Sequence, residues 1–285
     1  MKIQALATCY NRVDKTLNAI KDLKSQKLPE GVSLSITIVD DGSTDGTTQM
    51  VQEKYPDVEI IQGTGGLFWA GGMRYGWEKS VKNKEFDALL VFNDDIRLNQ
   101  DAISVLIDTY QNSLSSIKKN LYAVSGAFES SVKSEITYGG FIHASKWHKL
   151  RFKIVTPNGT PQKLDTFNMN LVLISRASLD KIGFLAPYFK HGGADQDFGL
   201  RLKKSGGTSL LTPSIIGKCD RNLIIGTSCE EGIGYFERIK RLISIKEQPI
   251  SQRFKYYKEH GGIFWFFLFL LPYARVLLTG RLRCK

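Results

Sequence analysis

The strongest constraint on this chain is an alternation in its first third. Apolar, β-branched runs at 3–9 (IQALATC), 33–40 (SLSITIVD), 58–62 (VEIIQ) and 88–93 (ALLVFN) alternate with segments of helical period. The first helical segment carries Val13, Leu17, Ile20 and Leu23 on one face and is stopped by Pro29 and Gly31. TTQMVQEKY supplies the second, and a segment from about Gly72 to Lys82 supplies the third. Strands and helices alternating at this spacing predict βαβ units: an α/β fold with a mostly parallel central sheet flanked by helices. Ligands of such sheets bind beyond the carboxyl ends of the strands, which places Thr8 to Asn11, Asp40 to Ser43, and Asn93 to Asp95 on one rim.

The second half is less regular. Strands are expected near AVSGAF, ITYGG and FNMNLVLIS, and a helix at RASLDKIG, with a loop at APYFKHGGADQDFG. From about residue 235 the pattern turns basic and helical, ending in the apolar block GIFWFFLFLLPYARVLL. The 39 Lys and Arg against 28 Asp and Glu give a net charge of +11, which favours an anionic partner: nucleic acid, an acidic membrane surface or a phosphorylated small molecule. Cys9, Cys219, Cys229 and Cys284 form no C-x-x-C pair, so neither a zinc ribbon nor a redox dithiol is indicated and a reduced, cytoplasmic setting is expected. MKIQALATCYNR holds too short an apolar run for a signal peptide.

Three acidic clusters and one glycine-rich stretch could carry chemistry. Asp40 and Asp41 close a strand; with Gly42 they suit an Asx turn, or a carboxylate could accept a hydrogen bond from the imide N–H of a nucleobase. LLVFNDDIRL repeats the arrangement with Asn93, Asp94 and Asp95, and Mg²⁺ or Mn²⁺ typically takes one or two carboxylates plus substrate phosphates. In GTGGLFWAGGMRYGWE, Phe68 stands where a dinucleotide fingerprint needs its third glycine. Gly71 and Gly72 are instead expected to open a helix whose amides face a diphosphate, with Arg74 reaching an anion, or else to let the helix pack closely on the sheet. Of Asp195 and Asp197, a helix cap explains one and leaves the other as a candidate general base. His191 reads as a surface or packing residue.

Taken in order, TCYNR, VDDGSTDGT, FNDD and GGADQDF resemble the family-2 glycosyltransferases with the GT-A fold, over roughly residues 1 to 225. The resemblance implies a catalytic domain at 1–230, with a nucleotide-binding half to about 125 and an acceptor-binding half from 126; the residue pattern after it is read as a basic, apolar, amphipathic helical extension at 231–285. It implies that Thr8 and Tyr10 line a nucleobase pocket with Asp41 contacting the base, and that Asn11, Arg12, Asp40, Gly71, Gly72, Arg74 and Asn93 serve the nucleotide. Asp94 and Asp95 would bind the metal, Mn²⁺ or Mg²⁺, with Asp95 the direct ligand, and Asp195 would be the base of an inverting transfer. Ala194 stands where many members carry a Glu. FWAGGMRYG looks like the rhamnosyltransferase-like branch, although Arg74 replaces a frequent Asn.

The expected donor is a dTDP- or UDP-sugar, and the expected acceptor a glycan or lipid-linked glycan in surface or capsular polysaccharide synthesis. Residues 263 to 274 are apolar but short and interrupted by Pro272, so residues 236–283 are read as a peripheral contact with the inner face of the plasma membrane rather than a span. Three readings compete: a nucleotidyltransferase, which would want a glycine-rich loop after the first strand; a basic nucleic-acid module, disfavoured by the acids on the rim; and a catalytically inactive scaffold. Nucleic acid is therefore not expected as a partner. An oligomer is left open.

Overall fold

The computed structural model describes residues 1–113 and 120–279. Strands β1 (Lys2–Cys9), β2 (Ser33–Asp40), β3 (Glu59–Gln62) and β4 (Ala88–Phe92) fall on the four apolar runs, and α1 (Val13–Lys24) and α2 (Thr47–Lys54) link the first three. Every residue of β4 is buried, as expected of a central strand covered on both faces. On the covering side, α1 buries Leu17, Ile20 and Leu23.

Helix α3 (Phe68–Lys79) starts four residues before the expected Gly72. Phe68 enters it with φ of 58°, so Gly71 and Gly72 lie inside the helix rather than at its opening. A Cβ on Gly72 would stand 2.3 Å from Thr8 Oγ1, and one on Gly76 would stand 2.5 Å from Val39 Cγ2. These glycines let the helix axis approach β1 and β2 closely, which is the packing role.

The chain continues through β5 (Arg97–Leu98), α4 (Ala102–Gln111), β6 (Tyr122–Glu129), β7 (Ile136–Tyr138), β8 (Gly140–His143), β9 (Phe152–Ile154) and β10 (Gln162–Leu164). FNMNLVLIS is split. Its start belongs to β11 (Thr166–Phe167), which joins β8 and β9 in a three-stranded sheet, and its end is β12 (Leu171–Ser175). Then come α5 (Arg176–Ile182), α6 (Ala194–Lys204) and β13 (Thr208–Lys218), a strand that the sequence pattern does not announce because Pro213 interrupts it at a bulge.

Among the described residues ten strands form one sheet, whose main path runs β10-β13-β6-β12-β4-β1-β2-β3. Strands from before and after residue 125 thus share a single sheet. β1, β2, β3 and β4 are mutually parallel, while β12 runs antiparallel between β4 and β6, pairing Leu173 with Leu90 and with Val124. This reversal brings the start of β12 beside the carboxyl end of β4.

The C-terminal part is helical as expected: α7 (Tyr235–Leu242), α8 (Ile250–His260) and α9 (Trp265–Thr279). Pro272 sits within α9 without ending it, and Gly262–Thr279 is long and apolar enough to cross a membrane, with 11% of it buried. Residues 280–283 of the expected membrane contact lie outside the described residues. Cys9 and Cys219 are free thiols, whereas Cys229 is disulfide-bonded, which a reduced setting does not predict.

The tight seat of α3 gives a stability prediction. Gly76→Ala should cost about 1–3 kcal/mol by overpacking against Leu6 and Val39, read as a lowered urea midpoint at unchanged m.

Candidate functional site

The carboxyl ends of β1, β2 and β4 open onto a cavity of about 820 Å³. The β1 end supplies Thr8, Cys9, Tyr10 and Arg12, the β2 end Asp41, and the β4 end Asn93, Asp94 and Asp95. Further lining comes from Asn168, Met169 and Asn170 before β12, from His191 to Gly193, and from Asp195 and Gln196 in the first turn of α6. Glu247 and Gln248, between α7 and α8, complete it.

Asp94 and Asp95 are adjacent, and both are largely shielded from water. Arg12 Nη1 bridges them, at 3.0 Å from Asp94 Oδ1 and 3.2 Å from Asp95 Oδ2. Burial pushes the Asp94 carboxyl up to about 6; the Arg12 guanidinium opposes this and the Asp95 charge adds to it. Asp94 Oδ2 is buried without a hydrogen-bond partner. Cys219 Sγ stands 3.8 Å from Asp95 Oδ1, and burial beside that charge pushes the thiol up to about 12.

This donor set fits a hard divalent cation: two oxygen ligands, one of them unsatisfied, facing a cavity with room for phosphates. No group of three or more His, Cys, Asp and Glu that could hold a metal occurs among the described residues, so the remaining ligands would come from substrate and water. Asp220, next to Cys219, accepts from Ser130 Oγ and Ser131 N.

Asp41 lines the cavity with its carboxylate engaged: Gly65 and Leu67 donate backbone N–H at 2.9 and 2.8 Å, and Phe68 at 3.2 Å. It therefore fixes the loop leading into α3, and any base contact would compete with these donors. Asp40 lies outside the cavity lining and accepts from Ser43 N at 2.9 Å and from Thr48 Oγ1, which is the Asx-turn role. Asn11, at φ of 50°, also lies outside the lining and ties the β1 loop to the Asp40 turn through Ser43 and Thr44. Gly71 donates to Lys190 O at 3.3 Å, and Arg74 Nη1 is spent on the carbonyls of Ala186 and Phe189 at 3.1 and 2.6 Å. The expected diphosphate contacts of Gly71, Gly72 and Arg74 are thus replaced by packing and by a strut under the 186–190 loop.

Asp195 is partly buried in the cavity lining. Asn168 Nδ2 donates to its Oδ2 at 3.0 Å and Gln196 N to its Oδ1 at 2.8 Å. Burial raises its carboxyl above the usual range while the Asn168 and backbone donors hold it down. A carboxyl raised in this way and lining the cavity suits a general base. Asp197, two residues on, points away from the cavity into a buried cluster with Arg201 Nε at 2.7 Å, His260 Nε2 at 2.8 Å and Tyr188 OH at 3.1 Å.

Several lining residues escaped the sequence pattern. Trp69 donates to Asn93 Oδ1 at 2.9 Å; the run LFW looked merely apolar. Asn168 and Asn170 were hidden inside a strand-like segment. His191 lines the cavity with its ring 6.3 Å from that of Phe68, which suits the packing side of its reading, and burial lowers its pKa. Nothing in the sequence marks Glu247 or Gln248.

A family model for glycosyl transferase family 2 matches residues 5–183. Among solved structures, the mannosyltransferase PcManGT of Pyrobaculum calidifontis, in complex with GDP-Man and Mn²⁺, is 14% identical at a TM-score of 0.56, covering 97% of this chain and 70% of that one. TarS 1–349 of S. aureus is also 14% identical at 0.56, covering 99% of this chain and 76% of that one. GalNAc-T7, with UDP, GalNAc and Mn²⁺, is 12% identical at 0.59, covering 98% of this chain and 57% of that one. No curated protein matches the sequence.

The Asp197 cluster predicts a pH-dependent loss. Burial alone would raise this carboxyl, but its bonds to His260 and Arg201 outweigh burial and hold it below the usual range. Its stabilisation is therefore present at neutral pH and lost as pH falls through the depressed value. Asp197→Asn should cost about 3 kcal/mol at pH 7 by leaving buried charge unpaired, with wild-type and variant denaturation midpoints converging below about pH 4.

Proposed function

Because the chain belongs to glycosyl transferase family 2, we propose that it transfers a sugar, with inversion, from a dTDP- or UDP-linked donor to a hydroxyl of a glycan or lipid-linked glycan acceptor. The observation that carries this reading is that Asp195 and the Asp94–Asp95 pair line one cavity. The glycosyltransferase fold is shared with the three solved structures, two of which hold Mn²⁺.

The donor's nucleoside end would lie along the β1 and β2 rim by Thr8, Tyr10 and Asp41. Its diphosphate would lie by Arg12, Asp94 and Asp95, with Asp95 as the more direct metal ligand. A divalent ion, Mn²⁺ or Mg²⁺, would supply charge neutralisation for the departing diphosphate. Arg12 carries positive charge to the same place. Asp195 accepts the acceptor hydroxyl's proton as its oxygen attacks the anomeric carbon, and the bond to the diphosphate breaks on the other side. One displacement completes the transfer and no covalent enzyme intermediate is formed. Asn168 holds Oδ2 of the base, leaving its second lone pair for the proton.

The product would feed surface or capsular polysaccharide synthesis at the cytoplasmic face of the membrane. The exposed apolar residues of α9 and the basic residues around α7 and α8 support peripheral attachment there.

The reading is tested by thermal unfolding with UDP, dTDP, GDP and CMP, each with and without Mn²⁺. UDP or dTDP should raise the midpoint only with the metal, and Asp95→Ala should remove that rise; no rise with any diphosphate would sink the reading. Asp195→Asn should cut kcat by about 10²–10⁴-fold while keeping the nucleotide-induced rise. Asn168→Ala removes a donor to the ionised base, so the acid limb of the kcat/KM profile should move to higher pH.

A further inference from the structure

A second depression lies on the outer side of the C-terminal part, lined by Ile243, Ile250, Ser251, Phe254, Lys255 and Lys258. Three of these are apolar, two are cationic and none is acidic. Ile243, Ile250 and Phe254 remain 36%, 50% and 37% exposed, although a side chain of this size normally buries where it can. Neither lysine has a carboxylate partner among the described ion pairs; the Lys255 ammonium stands 5.4 Å from the Tyr188 ring centroid. The groove thus combines an apolar floor with two uncompensated positive charges.

Its position adds a second argument. The segment between Ile243 and Ile250 is a strap whose ends line the groove and whose Glu247 and Gln248 line the catalytic cavity. Glu247 Oε2 holds the strap by accepting from Ser228 Oγ at 2.7 Å, and just beyond it Gln252 Nε2 on α8 donates to Gly192 O at 2.9 Å. On its far side the groove runs into α9, where Trp265 and Phe269 meet the Phe254 ring at 5.2 and 5.6 Å between centroids.

We propose that this groove holds the lipid end of the acceptor, a long-chain or isoprenyl phosphate. The chain lies on Ile243, Ile250 and Phe254, the phosphate is neutralised by Lys255 and Lys258, and the attached glycan crosses the strap into the cavity. The proposal rests on the sugar-transfer reading and names its acceptor class. An uncharged glycan would have no use for the lysines, and a free phosphate none for the apolar floor.

The test is binding of dodecyl phosphate to the full chain below micelle concentration, against dodecanol and inorganic phosphate as controls. Dodecyl phosphate should bind at least tenfold more tightly than either control. Lys255→Ala with Lys258→Ala should reduce it to the level of dodecanol, and Ile250→Glu should weaken it at least tenfold. Equal binding by wild type and the lysine variant would overturn the proposal. So would binding to phosphatidylglycerol vesicles without binding of dodecyl phosphate, since the face would then serve the bilayer itself. The metal-dependent midpoint rise with UDP or dTDP, measured on the same variants, separates the two readings. Its loss beside intact dodecyl phosphate binding removes the donor assignment alone, and the converse removes the groove alone.

Discussion

Two neighbouring carboxylates at the buried end of β4 place a demand for positive charge on everything around them. In a medium that screens poorly, Asp94 and Asp95 cannot both stay ionised without a cation close by. Arg12 meets that demand from the loop after β1, which ties the ends of two central strands together. One oxygen of Asp94 is still unsatisfied, so the demand is only partly met by the protein. The same cavity holds that remainder and the Asp195 carboxyl.

The antiparallel β12 makes this arrangement possible. A parallel strand beside β4 would present its own carboxyl end to the rim, whereas β12 presents its beginning, so Asn168 and Asn170 arrive where a β4 neighbour would otherwise place another strand exit. Asn93 N then bonds Asn170 O at 3.0 Å, and Asn168 reaches Asp195. One reversed strand therefore links the Asn93–Asp95 end of β4 to Asp195 through two short hydrogen bonds.

Much of the first half is legible in the sequence because its elements are specified locally. β1, β2 and β4 are apolar runs buried on both faces, α1 has a clean apolar stripe, and the acid pairs stand immediately after strands. What was not legible depends on contacts distant along the chain. Gly72 looks like a helix opening until Thr8 is seen against it, and Arg74 looks like an anion ligand until the Ala186 and Phe189 carbonyls are found to use it. Asp40 and Asp41 read alike in sequence, yet one closes a turn and the other faces the cavity. β13 was hidden by its proline, and Glu247 and Gln248 carry no local signal because their place is set by the packing of α8 on the loop before α6.

That last placement bears on how such a chain can diversify. The stretch matched by the family model stops at residue 183, while the base helix, the strap and the groove beside it all come later. On the proposed reading, donor handling and acceptor handling are written in successive portions of the same polypeptide. Under that reading, substitutions confined to the strap and α8 would change the acceptor while leaving the residues at the ends of β1, β2 and β4 untouched, and a chain shortened at residue 230 would keep those residues but lose Glu247 and Gln248 from the cavity lining.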